Sequence, residues 1–255
     1  MMLMNTFHHL LKDMCASRAA YLVLLDPDRC ETGSLIDTAV ACQEEGADGL
    51  LIGGSLLFTP DFDEVVRSIK NAVTIPVILF PGSGYQISGA ADGLLFLSLI
   101  SGRNPHYLIQ EQVLAAPRIK SLGLETVPCA YMLIESSCIT SVECVSNTKP
   151  LPRNKPELAA AHAMAASCLG FSHIYLEAGS GAREPVPCEL IRCVRQACNL
   201  SLIVGGGIST PETAAQKVEA GASFIVTGTV IEGEGGKRRI ADFADAVHSA
   251  GSSND

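Results

Sequence analysis

The sequence predicts a single (β/α)8 barrel, an α/β fold of the TIM-barrel class with a modified third helix, and three observations lead there. Apolar β-type runs alternate with helical patterns along the whole chain. Three glycine-rich segments each follow such a run directly: IYLEAGSG at 174–181, LIVGGGIST at 202–210 and FIVTGTVIE at 224–232. Glu177 and Gly206 are 29 positions apart and Gly206 and Gly228 are 22 apart, room in each interval for one strand, one helix and two short loops. Finally, GADGLLIGGS at 46–55, AADGLLFLSL at 90–99 and GASFIVTGTV at 221–230 share one plan, a small residue, a strand and a polar or glycine exit, as an internal repeat would.

Taken in order, strands are expected near 20–25, 49–52, 75–80, 93–97, 127–133, 173–176, 202–204 and 223–226, which makes eight. Helical patterns fall at about 33–46, 61–72, 105–118, 156–169, 187–197, 211–220 and 238–248. Several open on a capping residue followed by proline, as at Thr59-Pro60, Asn104-Pro105 and Thr210-Pro211. The gap in the helix series lies after the third strand, where PGSGYQISGA is too rich in Gly, Ser and Pro for a regular helix. Near-continuous apolar strands imply a parallel sheet covered on both faces, and eight such strands close most readily into a barrel. At 255 residues the chain has the usual size of one barrel, and no linker or composition break divides residues 1–255; only the tail GSSND has a disordered composition.

Hydrophobic residues make up 47 % and charged residues 18 %, ordinary for a globular chain. A formal net charge of −9 with no basic stripe argues against nucleic acid as a partner, and the short run Lys237-Arg238-Arg239 reads as a solvated helix start. The ten cysteines are scattered without a CxxC pair, which suits reduced thiols in an intracellular protein. The amphipathic N-terminus MMLMNTFHHLLKDM lacks the pattern of a secretory signal, and no apolar run approaches the ~20 residues that span a bilayer. The expectation is a soluble, cytoplasmic protein. His162 and Met164 lie in the alanine-rich ELAAAHAMAASC and are expected to pack that helix on the barrel.

In this fold the active site sits at the C-terminal ends of the strands, so the residues just after each run carry the chemistry. Gly206 and Gly207 with Gly228 and Thr229 would bring backbone N–H groups to one point, beside the positive end of the helix opened by Thr210-Pro211, and such an arrangement suits a phosphate. Flexible turns are the plainer reading, but two such loops at consecutive strand ends favour the phosphate. Glu177 is the one carboxylate at a strand end of otherwise apolar and small residues. Partial desolvation would raise its pKa and suit it to general-base work, with a salt-bridged structural role as the alternative. Tyr175 shares its side of the strand. Asp26 follows the first strand directly and could hold a hard cation such as Mg²⁺, with Ser55 from the neighbouring strand as a second oxygen; Asp-Pro-Asp is equally strong turn chemistry, and Asp28 reads as turn or cap. Arg103 and Asn104 could clamp a second anionic group, or simply cap the helix at Pro105. GxSxG, HExxH, P-loop and GxGxxG signatures are absent. Isomerase or lyase chemistry and a non-catalytic phosphate-binding barrel remain the alternatives at this level.

LLDPDR, GADGLLIGGS, PVILFPGS, LFLSLISGRNP, SNTKPLPRNKP, YLEAGSGAREPVP, LIVGGGIS and VTGTVIE occur in that order over nearly the whole chain. With them the sequence resembles the geranylgeranylglyceryl phosphate synthases and their bacterial relatives, and SVECVSNTKPLPRNKP resembles the longer subgroup of that family. The resemblance implies Mg²⁺-dependent transfer of a prenyl group from a polyprenyl diphosphate, geranylgeranyl diphosphate by the family's name, to the sn-3 hydroxyl of sn-glycerol 1-phosphate. It implies that the acceptor is held by Tyr175, Leu176, Glu177, Ala178, Gly179, Ser180 and Gly181 and by Gly206, Gly207, Gly228 and Thr229, that Glu177 takes the hydroxyl proton, and that the metal falls on Asp26 and Ser55. Some relatives carry a lysine two residues before the aspartate, where this sequence has Leu24. The long tail would lie in an apolar trough left where the third helix is missing, and a homo-oligomer with transient membrane-surface contact is expected.

Overall fold

The structure is a computed structural model that describes Leu11 and residues 18–29, 31–231 and 236–251. Apart from Leu11, the amphipathic N-terminal stretch therefore lies outside the described residues, as does the tail after Gly251. Strands β1 (Ala20–Leu25), β2 (Gly49–Ile52), β3 (Val77–Leu79), β4 (Gly93–Leu99), β5 (Thr126–Leu133), β6 (His173–Glu177), β7 (Ser201–Gly205) and β8 (Phe224–Thr227) form one closed barrel in sequence order. Every pairing is parallel, and the ring closes where Ala20 to Val23 lie beside Phe224 to Thr227. The predicted (β/α)8 class is the observed one.

The strands explain why the chain closes this way. Successive side chains of a strand point to opposite faces. Ala20, Leu22, Leu51, Ile78, Val127, Cys129, Ile203 and Phe224 point inward and fill the barrel. Their neighbours Tyr21, Val23, Leu50, Leu79, Ala130, Leu202 and Ile225 point outward and pack under the helices. Both faces are dry, so each run must be apolar throughout. Burial of a Leu or Ile side chain in either layer contributes about 1.5–3 kcal/mol, and truncating one such as Leu51 to Ala costs roughly 2–5 kcal/mol.

The outer layer comprises α1 (Thr32–Glu44), α2 (Phe62–Ala72), α3 (Glu111–Leu122), α5 (Pro156–Cys168), α6 (Cys188–Ala197), α7 (Pro211–Glu219) and α8 (Gly236–Gly251), while the short α4 (Ser141–Ser146) sits at the barrel mouth. Thr210 caps α7 as expected, its hydroxyl accepting from Thr213 N at 3.2 Å with Pro211 at the first helical position. Thr59 does not cap α2. Its hydroxyl and amide both bind the Asp28 carboxylate, at 2.5 and 2.8 Å, and the helix starts only at Phe62. In α5, Ala159, Ala163 and Ala166 form the buried stripe, and small side chains there let the helix lie close to its neighbours. Met164 does not join that packing and is half exposed, while His162 bonds back to Leu158 O within its own helix.

The third αβ interval contains no helix, as expected from PGSGYQISGA; residues 80–92 are turns pinned from outside. Ser88 Oγ donates to Asp63 Oδ1 at 2.6 Å, Arg118 donates to Ile87 O at 3.0 Å, and Gly84 N donates to Glu111 Oε2 at 2.7 Å. The helix predicted at 105–118 begins instead as a wide π turn over His106–Gln110, and α3 continues to Leu122, where Gly123 ends it at φ 65°. The short helix α4 was not anticipated. Its sequence carried the signal, since Thr140 and Glu143 have capping-box spacing and Thr140 Oγ1 accepts from Glu143 N at 3.2 Å. At the opposite end of the barrel, the Asp48 carboxylate accepts from Tyr21 N at 2.7 Å and Arg18 at 2.8 Å and bonds His248 Nε2 at 2.8 Å, joining α8 to the floor of β1 and β2.

Candidate active site at the barrel mouth

The C-terminal ends of the strands surround a cavity of about 880 Å³. Its floor is the inward face of the barrel, including Leu95, Tyr131, Tyr175 and Val226, and its rim is the set of strand-exit loops. One side is polar and carries Asp26, Ser55, Glu177, Ser180, Gly206, Gly207, Gly228 and Thr229. The other is apolar, formed by Phe80, Phe96, Leu97, Tyr107, Ala115, Ile119 and Val145 from β4, α3, α4 and the helix-free segment.

Glu177 ends β6 between Leu133 of β5 and Gly205 of β7, and it is 6 % exposed. Burial raises its pKa from 4.5 to about 7, against the opposing pull of the Gly179 N–H, which donates to Oε1 at 2.6 Å. It forms no salt bridge among the described residues, so the structural ion-pair alternative is not the arrangement seen. Tyr175, one step inward on the same face, belongs to a triangle of rings, with Phe80 at 4.9 Å, Tyr131 at 5.4 Å and those two 6.2 Å from each other. Its buried hydroxyl faces the Glu177 carboxylate closely enough to oppose the rise of that pKa, as the Gly179 N–H does, without reaching full hydrogen-bond geometry.

The glycines at the exits of β7 and β8 stand where a side chain would collide with the surrounding loops. Gly206 and Gly207 take φ of 81° and 69°, and a Cβ on Gly207 would fall 2.9 Å from Ala182 O. Gly228 lies against the β1 backbone, where a Cβ would meet Leu24 O at 3.2 Å. Directly after it, Thr229–Ile231 form one turn of 3₁₀ helix. Loops after the seventh and eighth strands combined with a short extra helix are the usual phosphate-binding geometry of this barrel.

Asp26 and Ser55 both line the polar side of the cavity. The Asp26 carboxylate accepts from Asp28 N at 3.0 Å, so the turn predicted from Asp-Pro-Asp does form, yet the residue still lines the cavity. It packs so close to the β2 exit that a Cβ on Gly54 would lie 3.3 Å from Asp26 Cγ. Asp28 has the turn-holding role: three hydrogen bonds from Phe58 N, Thr59 N and Thr59 Oγ1 outweigh its partial burial and lower its pKa.

Four expected residues do not contribute side chains to the cavity. Leu176 and Ala178 point outward into the helix-facing core, because they have the opposite parity to Tyr175 and Glu177. Arg103 donates to Ile100 O at 3.3 Å and Gly102 O at 2.7 Å, and Asn104 donates to Ser146 O at 2.7 Å while its Oδ1 accepts from His106 N. Neither lines the cavity; Arg103 folds back on carbonyls of its own loop, and Asn104 meets the first N–H of the following turn while bridging to Ser146 O. Gly179 acts through its N–H on Glu177.

Two features escaped the sequence reading. Tyr131 lies directly beside Tyr175 in the β5–β6 register, and the alternation Cys129, Tyr131, Leu133 was the available signal. Gln86, 1 % exposed, had none. Its Oε1 accepts from Gly54 N and Gly82 N, both at 3.2 Å, and its Nε2 donates to Gly54 O at 2.8 Å, so one amide holds the β2 and β3 exits together beside Ser55.

A closed parallel barrel with a desolvated carboxylate and two glycine exits at its C-terminal mouth defines a (β/α)8 barrel enzyme. The PcrB family profile matches residues 12–247, and the chain belongs to the PcrB family. It is 43 % identical over 235 residues to geranylgeranylglyceryl phosphate synthase of Korarchaeum cryptofilum, covering 92 % of this chain and 96 % of that one. It is also 43 % identical to the synthase of the same name from Chitinophaga pinensis, over 91 % of each chain. Among solved structures, (S)-3-O-geranylgeranylglyceryl phosphate synthase from Thermoplasma acidophilum, in complex with its substrate sn-glycerol-1-phosphate, superposes with a TM-score of 0.90 at 30 % identity, covering 98 % of this chain and 100 % of the other.

Proposed function

We propose that this protein transfers a prenyl group from a polyprenyl diphosphate, geranylgeranyl diphosphate by analogy with its relatives, to the sn-3 hydroxyl of sn-glycerol 1-phosphate, giving an ether and free diphosphate. The observation that carries the proposal is the position of Glu177, a carboxylate with a pKa of about 7 between an open glycine cradle and an apolar wall. Isomerase or lyase chemistry on a small phosphate would leave that wall without a purpose.

The acceptor's phosphate rests on the backbones at Gly206, Gly207, Gly228 and Thr229, which places its far hydroxyl toward Glu177 and Tyr175. As the carbon–oxygen bond to diphosphate breaks, the electron pair leaves with the diphosphate. The glycerol oxygen forms the new bond to the same carbon, and its proton passes to Glu177. The allylic tail spreads the positive charge that develops, and the aromatic floor to which Tyr175 belongs would help to steady it.

Asp26 and Ser55 would hold Mg²⁺. One carboxylate and one hydroxyl fit an ion that keeps much of its coordination for water and substrate oxygens; among the described residues no cluster of three His, Cys, Asp or Glu offers a fuller cage. Bound there, Mg²⁺ supplies neutralisation of the departing diphosphate. The apolar wall from Phe96 to Val145 receives the tail. Exposed Phe58 and Tyr85 at the same rim suit transient contact with a membrane surface, and exposed Ile109, Val113 and Leu114 suit a second copy of the chain. No helix among the described residues is long and apolar enough to cross a membrane. The eight described cysteines are all free, in keeping with a reducing, cytoplasmic setting.

The test is incubation with Mg²⁺, sn-glycerol 1-phosphate and geranylgeranyl diphosphate, with the product read by mass. Ether formed only when acceptor, donor and metal are all present supports the reading. Diphosphate released equally without acceptor overturns it.

A further inference from the structure

The barrel order places the exits of β7 and β8, with their glycine loops, between the exits of β6 and β1. One side chain reaches across that arc. Arg29, three residues beyond Asp26 at the end of β1, donates from Nη2 to Ser180 Oγ in the β6 exit at 3.4 Å. Its Nε lies 3.7 Å from Asp26 Oδ2. The guanidinium therefore spans the mouth above the Gly206–Gly207 and Gly228–Thr229 cradle. At one end it donates a long hydrogen bond to a neutral hydroxyl, and at the other it lies near the Asp26 carboxylate.

The charge balance of the cavity gives this position significance. Among the described lining residues the carboxylates are Asp26, Asp28, Glu111 and Glu177, whereas the cations are Arg29 and Arg183. A phosphate monoester carries about −2 near neutral pH. Backbone N–H groups can orient it but bring no net charge. A guanidinium presents planar paired donors that match phosphate oxygens better than one hydroxyl does, and Arg29 is the cationic side chain that bonds an exit loop flanking the cradle.

We propose that Arg29 closes over the acceptor's phosphate from above, exchanging its Ser180 contact for phosphate oxygens and releasing the Asp26 carboxylate from its side of the pair. Arg29 is thus a substrate-binding residue for the acceptor, not for the diphosphate of the donor. This rests on the reading of the cradle as the acceptor's phosphate site.

The experiment compares wild type with Arg29→Ala and Arg29→Lys. The expected result is an acceptor KM raised roughly 10- to 100-fold in Arg29→Ala, the loss of one or two charge-assisted hydrogen bonds, with a smaller rise in Arg29→Lys and a donor KM within about twofold of wild type. Inorganic phosphate alone should raise the melting temperature of the wild type and not that of Arg29→Ala, a readout that needs no turnover. An unchanged acceptor KM, an effect confined to the donor KM, or equal protection of both proteins by phosphate would overturn the assignment of Arg29. Absence of any ether product from the wild type would instead overturn the reaction, and the phosphate-protection arm would still decide the role of Arg29.

Discussion

Glu177 and Gly206 face one another so closely across the β6 and β7 exits that a Cβ on Gly206 would lie 2.2 Å from Glu177 Oε1. The same atom would sit 2.7 Å from Gly179 N, the donor that orients the carboxylate. Gly206 also has φ of 81°, which side chains rarely adopt. Gly206→Ala should therefore displace Glu177 and break its bond to Gly179 together. We expect kcat/KM to fall by about 10²-fold or more, the usual cost of a misplacement near 1 Å, with the circular-dichroism spectrum retained.

A base with a pKa of about 7 gives a specific pH profile. Glu177 accepts a proton only when ionised, so with Glu177 as the proposed base kcat/KM should rise through about pH 7 and level above it. Glu177→Gln should lose most activity and this limb together. A rate that is flat from pH 5 to 8 in the wild type contradicts the assignment.

The same burial has a stability consequence of opposite direction. The folded pKa is raised, so the folded protein binds the proton more tightly than the unfolded chain between 4.5 and about 7. The stability this group contributes is fully present below 4.5 and is lost as pH rises through about 7. Glu177→Gln should be more stable than wild type at pH 8, by up to about 3 kcal/mol, and the two should converge below pH 4.5. Chemical denaturation at the two pH values measures the difference.

Gln86 lies beside Ser55, one of the two residues proposed to hold Mg²⁺. Gln86→Leu removes three hydrogen bonds between the β2 and β3 exits and leaves Gly54 N, Gly54 O and Gly82 N without their partner. The expected outcome is roughly a tenfold rise in the Mg²⁺ concentration for half-maximal rate, from about 1–2 kcal/mol of lost positioning, with the acceptor KM little changed. An acceptor KM that moves as much as the metal response contradicts a local role.

Asp48, at the far end of the barrel, supplies the contrast. Asp48→Ala breaks the bonds to Tyr21 N, Arg18 and His248 and should destabilise the fold by about 2–3 kcal/mol. The kcat should stay within twofold, because conservation of the mouth geometry does not depend on that floor. Calorimetry and steady-state kinetics on one variant check both halves.

Much of the molecule was legible because parity and spacing constrain it. Strands buried on both faces must be apolar throughout, so β1, β6 and β7 could be placed within a residue or two, and Tyr175 with Glu177 could be put on one face while Gly206 and Gly228 marked the adjacent exits. What could not be read depends on contacts distant in sequence. Gln86 looks like any polar residue in a loop until Gly54, 32 positions earlier, is brought beside it. Arg103 and Asn104 could serve equally as clamp or cap from their spacing, and only the approach of Ser146 and the carbonyls of Ile100 and Gly102 decides it. Leu176 and Ala178 belong to the right motif, but alternation turns their side chains away from the cavity.

A glycine cradle that holds the phosphate of sn-glycerol 1-phosphate, with the far hydroxyl against Glu177, must distinguish the two hands of the acceptor. The most direct measurement is the ratio of kcat/KM for sn-glycerol 1-phosphate and its enantiomer with one saturating prenyl diphosphate and Mg²⁺. A fixed phosphate and a fixed base allow one hand to present its hydroxyl, so the account predicts a strong preference for sn-glycerol 1-phosphate and an ether at its sn-3 oxygen. Equal rates with both enantiomers would contradict it.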